Sequence, residues 1–288
     1  MWKTFANGHE RPLYKEFIEM KKTVLVTGAS SGIGKATAIL LAQNGYNVYG
    51  AARKTEKMED LKTYGITSIG LDLTKDQSIV ACVNQIFNEV GKIDILVNNA
   101  GFGSSGAMED VSMEDAKYQL EVNLFGAARL IQLVLPKMRE NEYGKIINIS
   151  SIGGKIAFPL SGWYHASKFA LEGLSDSLRM EVKQFGIDVI VIEPGGIKSE
   201  WADVATKNLV QTSGNTVYKT MAAKMAQANV NDKFPEPIVI AKLVKESVEA
   251  KCPKTRYSGG HMAKPILAIR KIVSDKLMDK IIMSQMKG

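Results

Sequence analysis

Tyr164 and Lys168 stand four residues apart in Trp163-Tyr164-His165-Ala166-Ser167-Lys168, and Ser151 lies thirteen residues before the tyrosine. On a helix, positions i and i+4 share a face, so a phenol and an ammonium are presented side by side. A phenol normally titrates near ~10, and a neighbouring positive charge favours its ionised form. Such a proton donor suits carbonyl reduction and alcohol oxidation. The same spacing also fits a surface tyrosine lying along a lysine stem, so the pair takes its meaning from its company. A glycine-rich turn precedes it, with Asn98-Asn99-Ala100-Gly101 and Asn123 between.

Holding these groups together requires a scaffold, and the pattern of the chain predicts one. Short β-branched runs alternate with segments of helical period, which is the order of a parallel sheet flanked by helices. The runs read as strands are 23–27, 46–51, 67–70, 93–98, 145–150 and 188–193, with 256–258 as a last short one. They are apolar almost throughout, as expected for strands covered on two faces. Helices are expected near 33–44, 56–63, 75–90, 112–140 and 163–186, and another from Pro235 and Pro237 to about Glu249. The fold class is α/β, a doubly wound sheet of about seven strands in a single domain. Residues 1–21 read as an N-terminal extension, 22–260 as the catalytic domain with a substrate-loop insertion at 195–235, and 261–288 as a basic amphipathic C-terminal helix.

With 288 residues the chain can bury a substantial core. No apolar run approaches the ~18 to 20 residues of a membrane span, and charges through the N-terminus argue against a signal peptide. Two cysteines, Cys82 and Cys252, make a disulfide framework implausible and point to a reducing cytoplasm. The net charge is +7, and residues 251–288 carry nine basic residues against Asp275 and Asp279. The excess therefore belongs to the tail, and no nucleic-acid partner is expected.

Thr27-Gly28-Ala29-Ser30-Ser31-Gly32-Ile33-Gly34 follows the first strand and opens a helix. Its glycines would let backbone approach a pyrophosphate, and the helix N-terminus would offer N–H groups and a positive dipole; a tight turn kept for packing is the plainer alternative. The second strand closes Ala51-Ala52-Arg53-Lys54 with no acid for ribose hydroxyls. This predicts NADP(H) rather than NAD(H), with Arg53 on the phosphate and Lys54 as a second candidate, unless both are solvated charges at a strand end. Asp72 could accept from an adenine amino group or cap a helix, and Leu73 follows it. Consecutive asparagines at 98 and 99, before Ala100 and Gly101, can satisfy backbone on neighbouring strands while leaving room for a cofactor.

Together, Thr27-Gly28-x-x-x-Gly32-x-Gly34, Asn98-Asn99-Ala100-Gly101, Asn123, Ser151, Tyr164-x-x-x-Lys168 and Pro194-Gly195 resemble the short-chain dehydrogenase/reductase family, strongly over residues 22–200. The resemblance implies a Rossmann-type fold and a homodimer or homotetramer. It makes Tyr164 the acid/base and Ser151, rather than Ser150, the holder of the substrate oxygen. Lys168 would bind the nicotinamide ribose and lower the tyrosine pKa, and Asn123 would hold a water leading to solvent. Pro194-Gly195-Gly196-Ile197-Lys198-Ser199 matches the loop that receives the carboxamide, with Ile197 and Ser199 as contacts and serine where threonine is more usual. The general pattern is similar to the hydroxysteroid and retinol dehydrogenase branches, which implies a hydrophobic alcohol or its ketone or aldehyde as substrate.

Phe102, Phe158, Trp163 and Trp201 are candidates to line an apolar substrate pocket, with core packing as the alternative. Cys82 reads as core and Asp94 as structural. His165 points about 100° away from the tyrosine and is expected in a structural or surface role. His9 and His261 have no partners at ligand spacing, so no metal is expected. In the tail, Ile266, Ile269, Ile272 or Val273, Leu277 and Ile281 recur at helical spacing among cations. This fits a helix packed on the domain, a lid or subunit contact, or a helix on an anionic membrane surface. The rival to an enzyme is a dinucleotide-sensing or scaffold protein on the same fold, which would not need Asn123, Ser151, Tyr164 and Lys168 together.

Overall fold

The computed structural model describes residues 21–228 and 234–284, the side chains of residues 200, 201 and 228 excepted. Seven strands, β1 (Thr23–Thr27), β2 (Asn47–Ala52), β3 (Thr67–Gly70), β4 (Ile95–Asn98), β5 (Gly144–Ile149), β6 (Ile187–Pro194) and β7 (Arg256–Gly259), form one sheet in the order β3-β2-β1-β4-β5-β6-β7. Every neighbouring pair is parallel. The order turns back between β1 and β4, which opens a crevice at their carboxyl ends.

Side chains that alternate along each strand build two apolar layers. Val24 and Val26 face one side with Ile147, Ile190 and Ile192, and there the sheet meets α1 (Gly32–Gln43) and α8 (Ile238–Glu249) through Ala38, Leu41, Ile240 and Val244. Leu25, Leu96, Ile146 and Val189 face the other side, against α2 (Asp76–Val90), α4 (Gly126–Glu140) and the end of α5 (Gly162–Val182). Cys82 lies in this second layer, where burial pushes its thiol up to about 12. Asp94 is also structural: it is buried and accepts the Thr23 N–H at 2.7 Å.

Three expected helices take another form. Residues 55–64 make a 3-10 helix, and the span 112–140 is α3 (Met113–Leu120), a π-helical turn at Glu121–Phe125 and then α4. The tail is two helices, α9 (Ala263–Arg270) and α10 (Asp275–Ser284), because backbone bonds to the Ser274 carbonyl begin a new helix. That restart shifts the apolar phase by one residue. Met278 and Ile282 are buried, whereas Leu277, Ile281, Ile269 and Ile272 are exposed. Met278 and Ile282 pack with Ile266 and Val273 on Ile152, Ile156 and Phe158, so the tail rests on the loop after β5. Between β6 and β7 lie α6 (Glu200–Ser213) and α7 (Lys219–Ala228). Ser213 Oγ accepts the Ala107 N–H at 2.8 Å and donates to Asp110 at 2.6 Å, which ties α6 to the loop after β4. No described helix is long and apolar enough to cross a membrane.

Candidate active site

Residues at the carboxyl ends of β1 to β6 line one cavity. At the β1 end, Gly28 and Gly32 hold φ of +68° and +53°, a backbone region that side chains rarely adopt. A Cβ on Gly28 would lie 2.8 Å from Asn99 Nδ2, and one on Gly34 would lie 2.3 Å from the Gly28 carbonyl oxygen. Gly34 is thus spent on packing the turn, while Gly28, Ser30, Ser31, Gly32 and Ile33 reach the cavity wall. The Ser31 side chain makes no cap bond to α1, so the helix N-terminus faces the cavity with its dipole uncompensated. This cradle fits a pyrophosphate.

Thr27 is the fixed point behind the cradle, and its role was not legible beforehand. Its hydroxyl oxygen accepts the Asn99 and Ala100 N–H groups at 3.0 Å each, and Asn99 Nδ2 donates to the Thr27 carbonyl at 2.9 Å. Asn98 Nδ2 donates to Asn148 Oδ1 at 3.0 Å, so the two asparagines tie β4 to both neighbouring strands. Arg53 and Lys54 line the cavity at the end of β2, with Arg53 Nη1 donating to the Tyr118 hydroxyl at 2.8 Å. Asp72 and Leu73 line it after β3. Burial opposes ionisation of Asp72, but hydrogen bonds from Thr74, together with Lys75 and Arg53, hold its carboxyl below the usual range. The residue that caps α2 is Lys75, so Asp72 is not the helix cap.

Ser151, Tyr164 and Lys168 share the same cavity. Ser151 Oγ accepts the Gly153 N–H at 3.0 Å and is hydrogen-bonded to Tyr164. Burial pushes the Tyr164 phenol up to about 12, and the bond to Ser151 is the opposing influence. Burial is the larger of these two influences, and the Lys168 ammonium lies 5.9 Å from the ring centroid. Lys168 Nζ instead donates to the Ile149 carbonyl at 2.9 Å. Burial brings the lysine down to about 8, with Glu172 acting against that shift. Ser150, the other candidate serine, has a buried hydroxyl with no hydrogen-bond partner among the described residues.

Asn123 sits in the π-helical turn behind Gly101 and does not belong to the described cavity wall. Its Nδ2 donates to the Phe102 carbonyl at 2.9 Å and to Ser167 Oγ at 3.1 Å, while Oδ1 accepts the Phe102 N–H at 3.0 Å. Both amide protons of Asn123 are therefore engaged within the protein. Asn99, Ala100 and Gly101 line the cavity, as do Pro194, Gly195, Ile197 and Ser199 opposite.

The apolar end of the wall includes Phe102 and Phe158, joined by Val204, Ala205, Met225 and Phe234, which sequence reasoning missed. Their signal was only a loose helical period in a segment without a motif. Trp163 does not reach the described wall; its indole N–H is buried with no hydrogen-bond partner among the described residues. The Trp201 side chain, residues 1–20 and His9 lie outside the described residues. No cluster of side chains able to hold a metal ion occurs among the described residues.

The sequence model of the short chain dehydrogenase family matches residues 22–209. A 3-ketodihydrosphingosine reductase of Bacteroides thetaiotaomicron is 41% identical over 191 residues, covering 66% of this chain and 69% of that protein. An NADPH-dependent 3-dehydrocapnine reductase of Ornithobacterium rhinotracheale is 33% identical over 279 residues, covering 91% of this chain and 96% of that protein. Among solved structures, a short-chain dehydrogenase from Streptomyces avermitilis superposes with a TM-score of 0.74 at 32% identity, covering 92% of this chain and 96% of that one. The fold, the cavity and these likenesses agree: the chain belongs to the short-chain dehydrogenase/reductase family, as an oxidoreductase that works with a nicotinamide dinucleotide.

Proposed function

We propose that this chain is an NADP(H)-dependent enzyme that interconverts a hydrophobic alcohol and its ketone or aldehyde, with Tyr164 as the acid/base. The observation that carries the reading is one cavity shared by Ser151, Tyr164 and Lys168, the glycine turn and Arg53. Gly28, Ser30, Ser31, Gly32 and Ile33 would cradle the pyrophosphate, and Arg53, with Lys54, the ribose phosphate. Asp72 and Leu73 would meet the adenine, and Asn99, Ala100, Gly101, Pro194, Gly195, Ile197 and Ser199 the nicotinamide half. Bound there, the nicotinamide supplies or takes the hydride.

With its pKa pushed up by burial, Tyr164 stays protonated across neutral pH. It gives its proton to the substrate oxygen as negative charge develops there, and in the reverse direction the phenolate so formed takes the proton back from the alcohol. Ser151 Oγ accepts the Gly153 N–H and is hydrogen-bonded to Tyr164, which holds its hydroxyl beside the phenol, in place to donate to that oxygen. Lys168 holds the ribose from its anchored position on Ile149.

The apolar wall at Phe102, Phe158, Val204 and Met225 supports a substrate whose carbonyl sits on a hydrophobic body. The named relatives reduce different substrates, so this wall, rather than any one branch of the family, supports the class. Residues 195–235 act as its substrate-selecting segment in this reading. Exposed Phe125, Phe169 and Met180 support assembly into a homo-oligomer. The test is a broad panel of ketones, aldehydes and alcohols, including acetophenone, cyclohexanone and decanal, followed by reduced-nicotinamide absorbance. Turnover of the apolar members with NADPH is expected. Tight NADPH binding without turnover across the panel would favour the dinucleotide sensor.

A further inference from the structure

We propose that His165 is a positioning residue for the reaction, a neutral imidazole that braces the loop 152–158 and through it sets Ser151 Oγ and Phe158. The proposal rests on the reading of Ser151 and Tyr164 given above. His165 follows Tyr164 on α5, yet it is 5% exposed and turned toward the loop after β5. Its Nε2 accepts the Phe158 N–H at 2.9 Å, and its Nδ1 lies 2.9 Å from the Gly153 carbonyl oxygen.

Only one form of the ring satisfies these partners. An amide N–H requires an acceptor at Nε2, and a carbonyl requires a donor at Nδ1, so the single proton sits on Nδ1. Burial favours this neutral ring, with the bond to the Gly153 carbonyl as the opposing influence. The nearest rings are uncharged: the Tyr164 centroid at 5.7 Å and the Phe158 centroid at 5.8 Å.

The two bonds hold the two ends of the loop. At one end, Gly153 receives the imidazole on its carbonyl and gives its N–H to Ser151 Oγ at 3.0 Å. A Cβ on Gly153 would lie 2.9 Å from His165 Nδ1 and 3.1 Å from Tyr164 Cε1, so histidine, tyrosine and loop are in close contact there. At the other end, Phe158 belongs to the apolar cavity wall. One side chain thus reaches the group that meets the substrate oxygen and the group that meets the substrate body.

Two substitutions separate the ends. Asparagine can reach the position of Nδ1 and lacks the Nε2 acceptor, whereas glutamine can reach the position of Nε2 and lacks the Nδ1 donor. With NADPH and the most rapidly reduced of acetophenone, cyclohexanone and decanal, His165→Asn should keep kcat and raise KM about tenfold, the loss of one hydrogen bond. His165→Gln should keep KM and lower kcat roughly 10- to 100-fold through a displaced Ser151. His165→Leu should show the two losses together, with NADPH affinity unchanged in all three. Independently of turnover, a long-range proton–nitrogen spectrum of the full-length protein at neutral pH should show a neutral ring protonated on Nδ1.

Parallel loss of kcat and KM in Asn and Gln variants, tracking only their thermal stability, would overturn the proposal. So would a ring protonated on Nε2 or doubly protonated. A wild-type protein that binds NADPH and reduces none of the three compounds sinks the reading of Tyr164. An active wild type whose variants keep its kcat and KM sinks the role of His165 alone.

Discussion

The two halves of the cavity are built by different means. On the β1–β3 side, the wall is backbone held by backbone-level fits: Thr27 grips Asn99 and Ala100, and Gly28 and Gly34 leave no room for a side chain. On the β5–β6 side, the wall is a loop held by side chains from remote segments. Met278 and Ile282 press on Ile156 from the tail, and His165 braces Gly153 and Phe158 from within. The first arrangement tolerates almost no change and suits a ligand of constant shape. The second can be retuned residue by residue, as a substrate-selecting surface requires.

The contrast is strongest at its steric extreme. Gly34→Ala should destabilise the protein by about 3 kcal/mol, since the added methyl meets backbone that cannot yield. Denaturant unfolding checks this, and a loss under 1 kcal/mol would show the turn to be softer than described. On the other half, Ile282→Ala should cost about 2 kcal/mol, the low end for a buried aliphatic because the site lies near the surface. Its kinetic mark should be a raised KM for the carbonyl substrate with NADPH affinity unchanged. An equal loss of NADPH affinity would join the two halves into one unit.

Smaller effects follow from single charges. Arg53→Ala should lower the ratio of kcat/KM with NADPH to that with NADH about tenfold, the worth of a charge-assisted contact. An unmoved ratio would assign the cofactor choice elsewhere. For Lys168, burial lowers the folded pKa to about 8 from the ordinary lysine value of 10.5, so above about 8 the folded state binds fewer protons than the unfolded one. Its charge therefore opposes folding below that pH, and the cost is relieved as pH rises from about 8 toward 10.5. Tyr164, raised from the ordinary tyrosine value of 10.0 to about 12, contributes in the opposite sense only above 10.0. Between these limits, wild type should gain stability with pH relative to Lys168→Met, as read by unfolding at several pH values. Parallel curves would mean that the lysine titrates normally.

The same contrast explains what was legible in the sequence. Glycine spacing, the asparagine pair and the Tyr164–Lys168 register are demands of local geometry, so they stand in the chain as motifs. The alternation of Val24, Leu25 and Val26 likewise announced a strand covered on both faces. The side-chain brace had no such mark. His165 bonds backbone atoms of Gly153 and Phe158, which any residues could supply once the loop has folded. The tail misled because one helical period was carried through Ser274, where the chain starts a new helix. Trp163 looked like a pocket residue by position and points its indole N–H into the protein interior instead.

The central claim is that Tyr164 moves the proton. Single-turnover reduction by Tyr164→Phe, with NADPH bound and a carbonyl substrate that wild type reduces, tests it most directly. Loss of the hydride-transfer phase with NADPH affinity within about twofold of wild type is expected, since the ring remains and only the acid is gone. A phase within about tenfold of the wild-type rate would contradict the claim, because general acid catalysis accounts for about 100-fold or more.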